Sequence, residues 1–197
     1  MNNSFFALIG RMRYIRRWGL MRSTIPENVQ EHSHMVAVLA HALAVIRRDV
    51  FGRACDPNAC AAEALLHDAS EILTGDMPTP IKYNNPAIIG AYKQLEREAG
   101  RRLLDTLPKD LIPAYEPLVC PAQEHELVKA ADKLSAYIQC VEERKAGNAE
   151  FALAEKQTLA ALHAMHLPEL EYFITNLFPA FELTLDEQQE ISTSENL

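Results

Sequence analysis

The stretch HDASEILTGDMPTP, residues 67–80, concentrates side chains able to do chemistry. It opens on an adjacent His67-Asp68 pair, and Glu71 follows within one helical turn. Gly75 then interrupts the pattern, and Asp76, Met77, Pro78, Thr79 and Pro80 make a stiff, largely polar loop. Residues four apart share a helix face, so a continuous helix would aim His67 and Glu71 the same way. A neutral imidazole beside a carboxylate is a hard-to-borderline ligand pair, suited to Zn, Mn, Fe or Co rather than Cu(I). A free carboxylate one turn on could handle protons for a water activated at such an ion. Taken alone, the pair also fits a polar helix end with one capped histidine.

The elements that must position these residues read as helices. Residues 3–17 predict a first helix with Phe5, Leu8, Ile9, Met12 and Ile15 as its apolar stripe and Arg13 and Arg17 on another face. Asn28 and Glu31 fit a capping box, predicting a second helix to about Val50. On it His32, Val36, Leu39, Leu43 and Ile46 form an inward stripe, while His34 and His41 share an outer face. A third helix is predicted from Pro57 to Leu73 and a fourth from about Pro86 to Leu107. Residues 108–121 hold four prolines and read as irregular or as short helical turns. A fifth helix, about Ala122 to Ala146, carries Leu127, Val128, Ala131, Leu134, Ser135 and Ile138 inward, with Asp132 on the edge of the stripe. An ionised Asp on a near-buried face is costly unless a cation meets it. Further helices follow at about Ala149 to Met165 and Glu169 to Leu177. The tail from Glu182 has five acids and no base, and its end is expected to fray.

Composition bounds the rest. A chain of 197 residues, 48% apolar and 23% charged, suits one globular domain with a sizeable core. Seven glycines against abundant Ala, Leu, Glu and Arg favour an all-α protein. The cysteines Cys55, Cys60, Cys120 and Cys140 show no CxxC spacing and read as buried or idle thiols in a reducing compartment, hence a cytoplasmic location. No apolar run approaches the length of a membrane span, and the arginines follow the first apolar stretch, unlike a signal peptide. The net charge of −8 argues against a nucleic-acid polymer as partner. The first 26 residues nevertheless hold five arginines and no acid. That local basic patch suits a small anionic ligand held at one point.

Four candidate ligands thus stand on three predicted helices: His32, His67 with Asp68, and Asp132. Each alone has an ordinary reading, His32 as a core histidine and Asp132 as an ion-pair partner. Their order, H…HD…D with gaps of 35 and then 64 residues, resembles the HD-domain phosphohydrolase superfamily. RRWGLMR at 16–22, ENVQEHSHMVA at 27–37, ALLHDASEILTGDMPTPIKY at 64–83 and VKAADKLSAY at 128–137 are similar to its bacterial 5′-deoxynucleotidase subgroup. Gly19 after the tryptophan, where the subgroup would carry proline, and His34 beside EHS depart from the pattern without removing a ligand.

The resemblance implies a single all-helical HD domain over residues 1–197, a bundle of about six or seven helices, and a homodimer. It implies one divalent transition metal on His32, His67, Asp68 and Asp132, with Co2+ or Mn2+ foremost and Zn2+, Fe2+ or Cu2+ as alternatives. Two-metal relatives carry extra histidines between the HD pair and the last Asp. Here only His125 lies there, seven residues before Asp132 or ~10 Å along one helix. The implied activity is hydrolysis of 2′-deoxyribonucleoside 5′-monophosphates. Glu71, Arg17 and Asp68 are the expected catalytic groups, with Glu71 orienting or deprotonating the attacking water. The substrate is expected to meet Arg17 as phosphate clamp, Trp18 against the sugar, and Asp76 at the 3′-hydroxyl. Met77, Pro78 and Thr79 of the loop, and the ligands His32, Asp68 and Asp132, complete that set. Trp18 is read equally well as a core anchor. The alternatives are another HD hydrolase, acting on nucleoside triphosphates or cyclic nucleotides, or a non-catalytic nucleotide-binding module.

Overall fold

Asn28 starts the central helix. Its side chain accepts from Glu31 N at 3.0 Å and its own N–H donates to Glu31 Oε2 at 3.3 Å, the reciprocal box expected from the sequence. The helix, α2 (Val29–Val45), continues as a π-turn over Ile46–Val50. The structure, a computed structural model, describes residues 3–78, 82, 85–122 and 125–194. Before α2 comes the short α1 (Phe5–Ile9). After it come α3 (Pro57–Leu66), α4 (Glu71–Thr74), α5 (Pro86–Leu104), α6 (Ile112–Val119) and α7 (Glu126–Lys145). The last are α8 (Ala152–His163), α9 (Pro168–Asn176) and α10 (Leu185–Ser194). Among the described residues the only β pairing is a single antiparallel bridge between Arg16 and Asn28.

Helix α2 packs on α3 and α7, and α7 on α8. The main core gathers Val36, Leu39 and Leu43 of α2, Ala64 of α3, and Leu127, Ala131, Leu134 and Ile138 of α7. For α2 and α7 this is the helical stripe expected from the sequence. Truncating a fully buried leucine such as Leu43 or Leu134 to Ala would cost about 2–5 kcal/mol. A second cluster, Phe5, Ala69, Leu103, Leu104 and Leu107, covers the far end of the HD stretch. His34 and His41 are exposed, as expected for the outer face of α2.

Four expected boundaries differ. The first helix stops at Ile9 instead of Arg17: Gly10 closes it, Met12–Tyr14 tighten to a 3-10 turn, and Ile15 is extended. Arg17 N then donates to Glu27 O at 3.0 Å and Val29 N to Ile15 O at 2.9 Å, so this segment lies against the approach to α2. The third helix ends at Leu66, and α4 resumes only at Glu71. Residues 112–119 form a short helix, with Pro113 in its first turn, where no amide partner is needed, and Pro117 tolerated in its interior. The acidic tail is helical from Leu185 to Ser194, and residues 195–197 lie outside the described residues.

Candidate active site

Three chain segments deliver the site. The first turn of α2 turns His32 fully inward, at 0% exposure. The end of α3 delivers His67, whose Nδ1 lies 2.7 Å from Ala64 O, the last turn's own carbonyl. Mid-α7 delivers Asp132 and, one turn on, Ser135. His32 Nε2 lies 3.0 Å from Asp132 Oδ1 and 3.7 Å from Asp68 Oδ2. His67 Nε2 lies 3.1 Å from the same Asp68 oxygen, and the two imidazole rings are 5.5 Å apart. One donor atom from each of His32, His67 and Asp68 falls within 4.8 Å of the others.

The donor set fits a cation. With Nδ1 of His67 bound to a carbonyl, that nitrogen carries the ring proton and Nε2 presents a lone pair. Nε2 is buried without a hydrogen-bond partner while it faces a carboxylate oxygen. Two lone pairs so close call for a positive centre between them. On His32, Ser135 Oγ at 3.2 Å and Glu27 Oε1 at 3.6 Å stand at Nδ1, which likewise leaves Nε2 toward the carboxylates. Two imidazole nitrogens and two carboxylates could hold a borderline divalent ion.

The electrostatics of the cluster point the same way. Burial alone would lower the His67 pKa, but the charge of Asp68, its contact with the ring, and Asp132 raise it to about 9. Burial would raise Asp68, yet His67 and His32 bring it down to about 2. Asp132 is held far below the carboxylate range by His32, His67 and Arg17 against the cost of burial. The cluster thus favours positive charge at its centre.

Arg17 stands at the rim. Its Nε donates to Glu27 Oε2 at 3.1 Å and its Nη1 lies 3.6 Å from Asp68 Oδ2. The charges of Asp132, Asp68, Glu27 and Asp76 raise its pKa against burial, so it is a permanent cation surrounded by acids. Arg16 and Arg22 are exposed, as expected, and Arg22 pairs with Glu150. Trp18 adopts φ 57°, uncommon for a bulky side chain and worth a cost of about 1–3 kcal/mol. Two contacts hold it there. The indole N–H donates to Glu27 Oε2 at 3.1 Å, and the ring stands edge-on to Phe151 at 5.2 Å. The core-anchor reading therefore has a definite physical basis.

Glu71 is 6% exposed, with Oε2 lacking a hydrogen-bond partner. Burial, then the charges of Asp68 and Asp76, push it up to about 9 against Arg17 and Lys82. The helix that was to align it with His67 is broken, and the turn closed by Glu71 N donating to Asp68 O at 3.0 Å delivers it instead. Gly75, at φ 72°, ends α4 in a conformation that favours glycine and starts the loop of Asp76, Met77 and Pro78. Those three are half-buried. Burial, then Asp68, raise the Asp76 carboxyl, opposed by Arg17. Thr79 lies outside the described residues.

Two participants escaped the sequence reading. Glu27 joins Arg17, Trp18 and His32, although its position just before the N-cap of α2 carries no periodic signal. Ser135 was read only as part of the inward stripe, and its hydroxyl faces His32. His125, in contrast, caps α7 and faces Cys60, apart from this cluster.

The fold is that of the HD-domain phosphohydrolases. One such protein from Listeria innocua superposes with a TM-score of 0.79 at 21% identity, covering 97% of this chain and 98% of its own. Cyanophage S-2L HD phosphohydrolase, bound to dA and one catalytic Zn2+ ion, superposes with a TM-score of 0.54 at 22% identity, over 84% of this chain and 91% of its own. In sequence, a 5′-deoxynucleotidase of Vibrio parahaemolyticus is 48% identical over 187 residues, 93% of this chain and 96% of that protein. The family model described as 5′-deoxynucleotidase YfbR-like matches residues 4–181. The chain belongs to the YfbR-like 5′-deoxynucleotidase family.

Proposed function

We propose that the chain hydrolyses 2′-deoxyribonucleoside 5′-monophosphates to a deoxynucleoside and inorganic phosphate, as a single HD domain over residues 1–197. The observation that carries this reading is the convergence of His32, His67, Asp68 and Asp132 beside the Arg17 guanidinium. It is the arrangement a small phosphate dianion needs, cationic at two points and acidic behind. Family membership and the 48% identical relative point the same way.

In this reading His32, His67, Asp68 and Asp132 hold one divalent transition metal, with Co2+ or Mn2+ preferred over Zn2+, Fe2+ or Cu2+. Such an ion supplies Lewis acidity toward water and a phosphate oxygen. Arg17 grips the phosphate, because its planar fork matches two oxygens at once. Water adds to phosphorus as the bond to the 5′-oxygen breaks. The Glu71 carboxyl, with its unpartnered Oε2 and its raised pKa, gives its proton to the departing 5′-oxygen and takes one back from the attacking water. Asp76 receives the sugar 3′-hydroxyl, Trp18 bounds the 2′ side, and Met77 and Pro78 meet the substrate from the loop, with Thr79 assigned beside them from the sequence resemblance alone.

No helix among the described residues is long and apolar enough to cross a membrane. The reading takes the enzyme as a cytoplasmic homodimer acting on free nucleotides. The test is phosphate release from dTMP and dAMP against their ribonucleotides, with chelator and with Co2+ or Mn2+ restored. Equal turnover of ribo- and deoxy-substrates would refute the sugar assignment. Pyrophosphate or tripolyphosphate from dATP in place of phosphate from dAMP would refute the monoesterase.

A further inference from the structure

Away from this centre, three soft or borderline donors meet where α3 and α7 begin. Cys55 Sγ and Cys60 Sγ are 3.8 Å apart, and Cys60 Sγ lies 3.9 Å from both ring nitrogens of His125. One donor atom from each of the three falls within 4.8 Å of the others. Cys60 is buried, Cys55 and His125 are half-buried, and both thiols are free. Asp56, between the cysteines, caps α3 through Asn58 N and Ala59 N, fixing the turn that brings Cys55 back over Cys60. Glu63 Oε1 accepts from His125 N at 2.8 Å and ties that residue to α3.

The spacing is that of a tetrahedral site. Two thiolates at about 2.3 Å from zinc stand about 3.8 Å apart, and a thiolate and an imidazole nitrogen about 3.6 Å. The two edges at Cys60, 3.8 and 3.9 Å, are within a few tenths of these values, and the Cys55–His125 edge, within 4.8 Å, closes by rotation of the Cys55 and His125 side chains. A disulfide would instead require the sulfurs to close to about 2.05 Å. Two sulfurs and an imidazole select zinc-like ions over Mg2+ or Ca2+.

We propose that Cys55, Cys60 and His125 form a structural zinc site, distinct from the HD centre, with water or the Glu63 carboxylate as fourth ligand. Zinc binds cysteine as the thiolate, so its uptake here releases the thiol protons of Cys55 and Cys60. Leu127 N donates to His125 Nδ1 at 3.2 Å. Zinc at Nε2 puts the ring proton on Nδ1 and takes that acceptor from the buried Leu127 amide, a loss that the two thiolate bonds must exceed.

The placement gives the site a purpose. Cys60 precedes His67 by seven residues on one element, and His125 precedes Asp132 by seven on the other. Two helical turns, about 10 Å, separate the ends of this strut. Zinc at one end fastens together the helices that meet at the other around His67, Asp68 and Asp132. The site stands by itself; only its effect on the HD centre rests on the function proposed above.

The test titrates reduced, metal-free protein with Co2+ alone. Thiolate ligation gives a near-ultraviolet charge-transfer band that the imidazoles and carboxylates of the HD centre do not. The band should be present in the native protein, absent in Cys55→Ser and retained in Asp132→Ala. Zn2+ should bleach it and slow alkylation of Cys55 and Cys60 by at least about tenfold. His125→Asn keeps a good helix cap, so a weakened band there reports the lost ligand and not misfolding. Absence of the band in reduced native protein, its persistence in Cys55→Ser, or alkylation indifferent to Zn2+ overturns the site. So does a Cys55–Cys60 disulfide in protein that, when reduced, takes up neither ion there, which marks a redox pair instead.

Discussion

Arg17 Nε donates to Glu27 Oε2 across 3.1 Å, and this one carboxylate sets where the guanidinium can point. The same oxygen takes the Trp18 indole N–H, and Oε1 stands 3.6 Å from His32 Nδ1. Burial would raise the Glu27 pKa, but His32, Arg17 and Trp18 hold it low, so it is ionised. It therefore couples Arg17, the proposed phosphate clamp, to His32, a candidate metal ligand. Glu27→Gln should lower kcat/KM for dAMP by about 10- to 100-fold, the usual scale for outer partners of metal ligands. Steady-state kinetics with metal content measured in parallel will check this; unchanged kinetics would remove Glu27 from the site.

Arg17→Ala should cost about a hundred- to a thousandfold in kcat/KM, the scale of losing one preorganised charge. Arg17→Lys should recover only part, because an ammonium lacks the fork that spans two oxygens. Inhibition by inorganic phosphate should weaken in the same order, which separates phosphate gripping from a general loss of structure.

Glu71→Gln preserves shape and removes the carboxylate. Turnover should fall by about a hundred- to ten-thousandfold while bound metal stays at the native level. Any limb of the kcat–pH profile that belongs to Glu71 should vanish with it. Loss of metal together with rate would instead make Glu71 part of the ion's cradle.

Removing the ion should act on stability as well as rate. A ligand present at 100 times its Kd stabilises the folded state by about 2.7 kcal/mol. Chelation should therefore lower Tm in Cys55→Ser protein, where only the HD centre can respond. It should have no effect in a protein that also carries Asp132→Ala. A chelator shift surviving in the double variant would show that the ion sits elsewhere.

Glu143 makes a separate prediction about the fold. It is fully buried and accepts from Thr24 N at 2.9 Å, Thr24 Oγ1 at 2.9 Å and Asn148 Nδ2 at 2.8 Å. It thereby pins the segment between Trp18 and Glu27 onto α7. Glu143→Ala should destabilise by about 2–4 kcal/mol. Burial would raise this carboxyl, but the hydrogen bonds from Asn148 and Thr24 hold it below the ordinary glutamate value. The unfolded chain then binds the proton more readily. The stability contributed is fully present above the unfolded pKa and is lost as pH falls through the folded one. Denaturant midpoints across acidic pH should show a steeper loss in native protein than in Glu143→Gln.

The sequence alone determined the helical class, the faces and several starts. Period-3.6 stripes named the buried side of α2 and α7, including His32, and Asn28 with Glu31 marked the start of α2 because capping is settled within four residues. The H…HD…D order also lay in the sequence, yet it stated only which donors exist. Tertiary structure decided how they meet. Helix α3 breaks at His67 so that its ring turns onto Ala64 O and Glu71 arrives by a separate turn. Glu27 is enlisted because the Arg17 segment lies beside it, and Cys55, Cys60 and His125 meet because α3 and α7 pack side by side. Local rules fix faces and ends over a few residues. Contacts such as His32 to Asp132, 100 positions apart, form only when packed helices choose their neighbours, which no local pattern encodes.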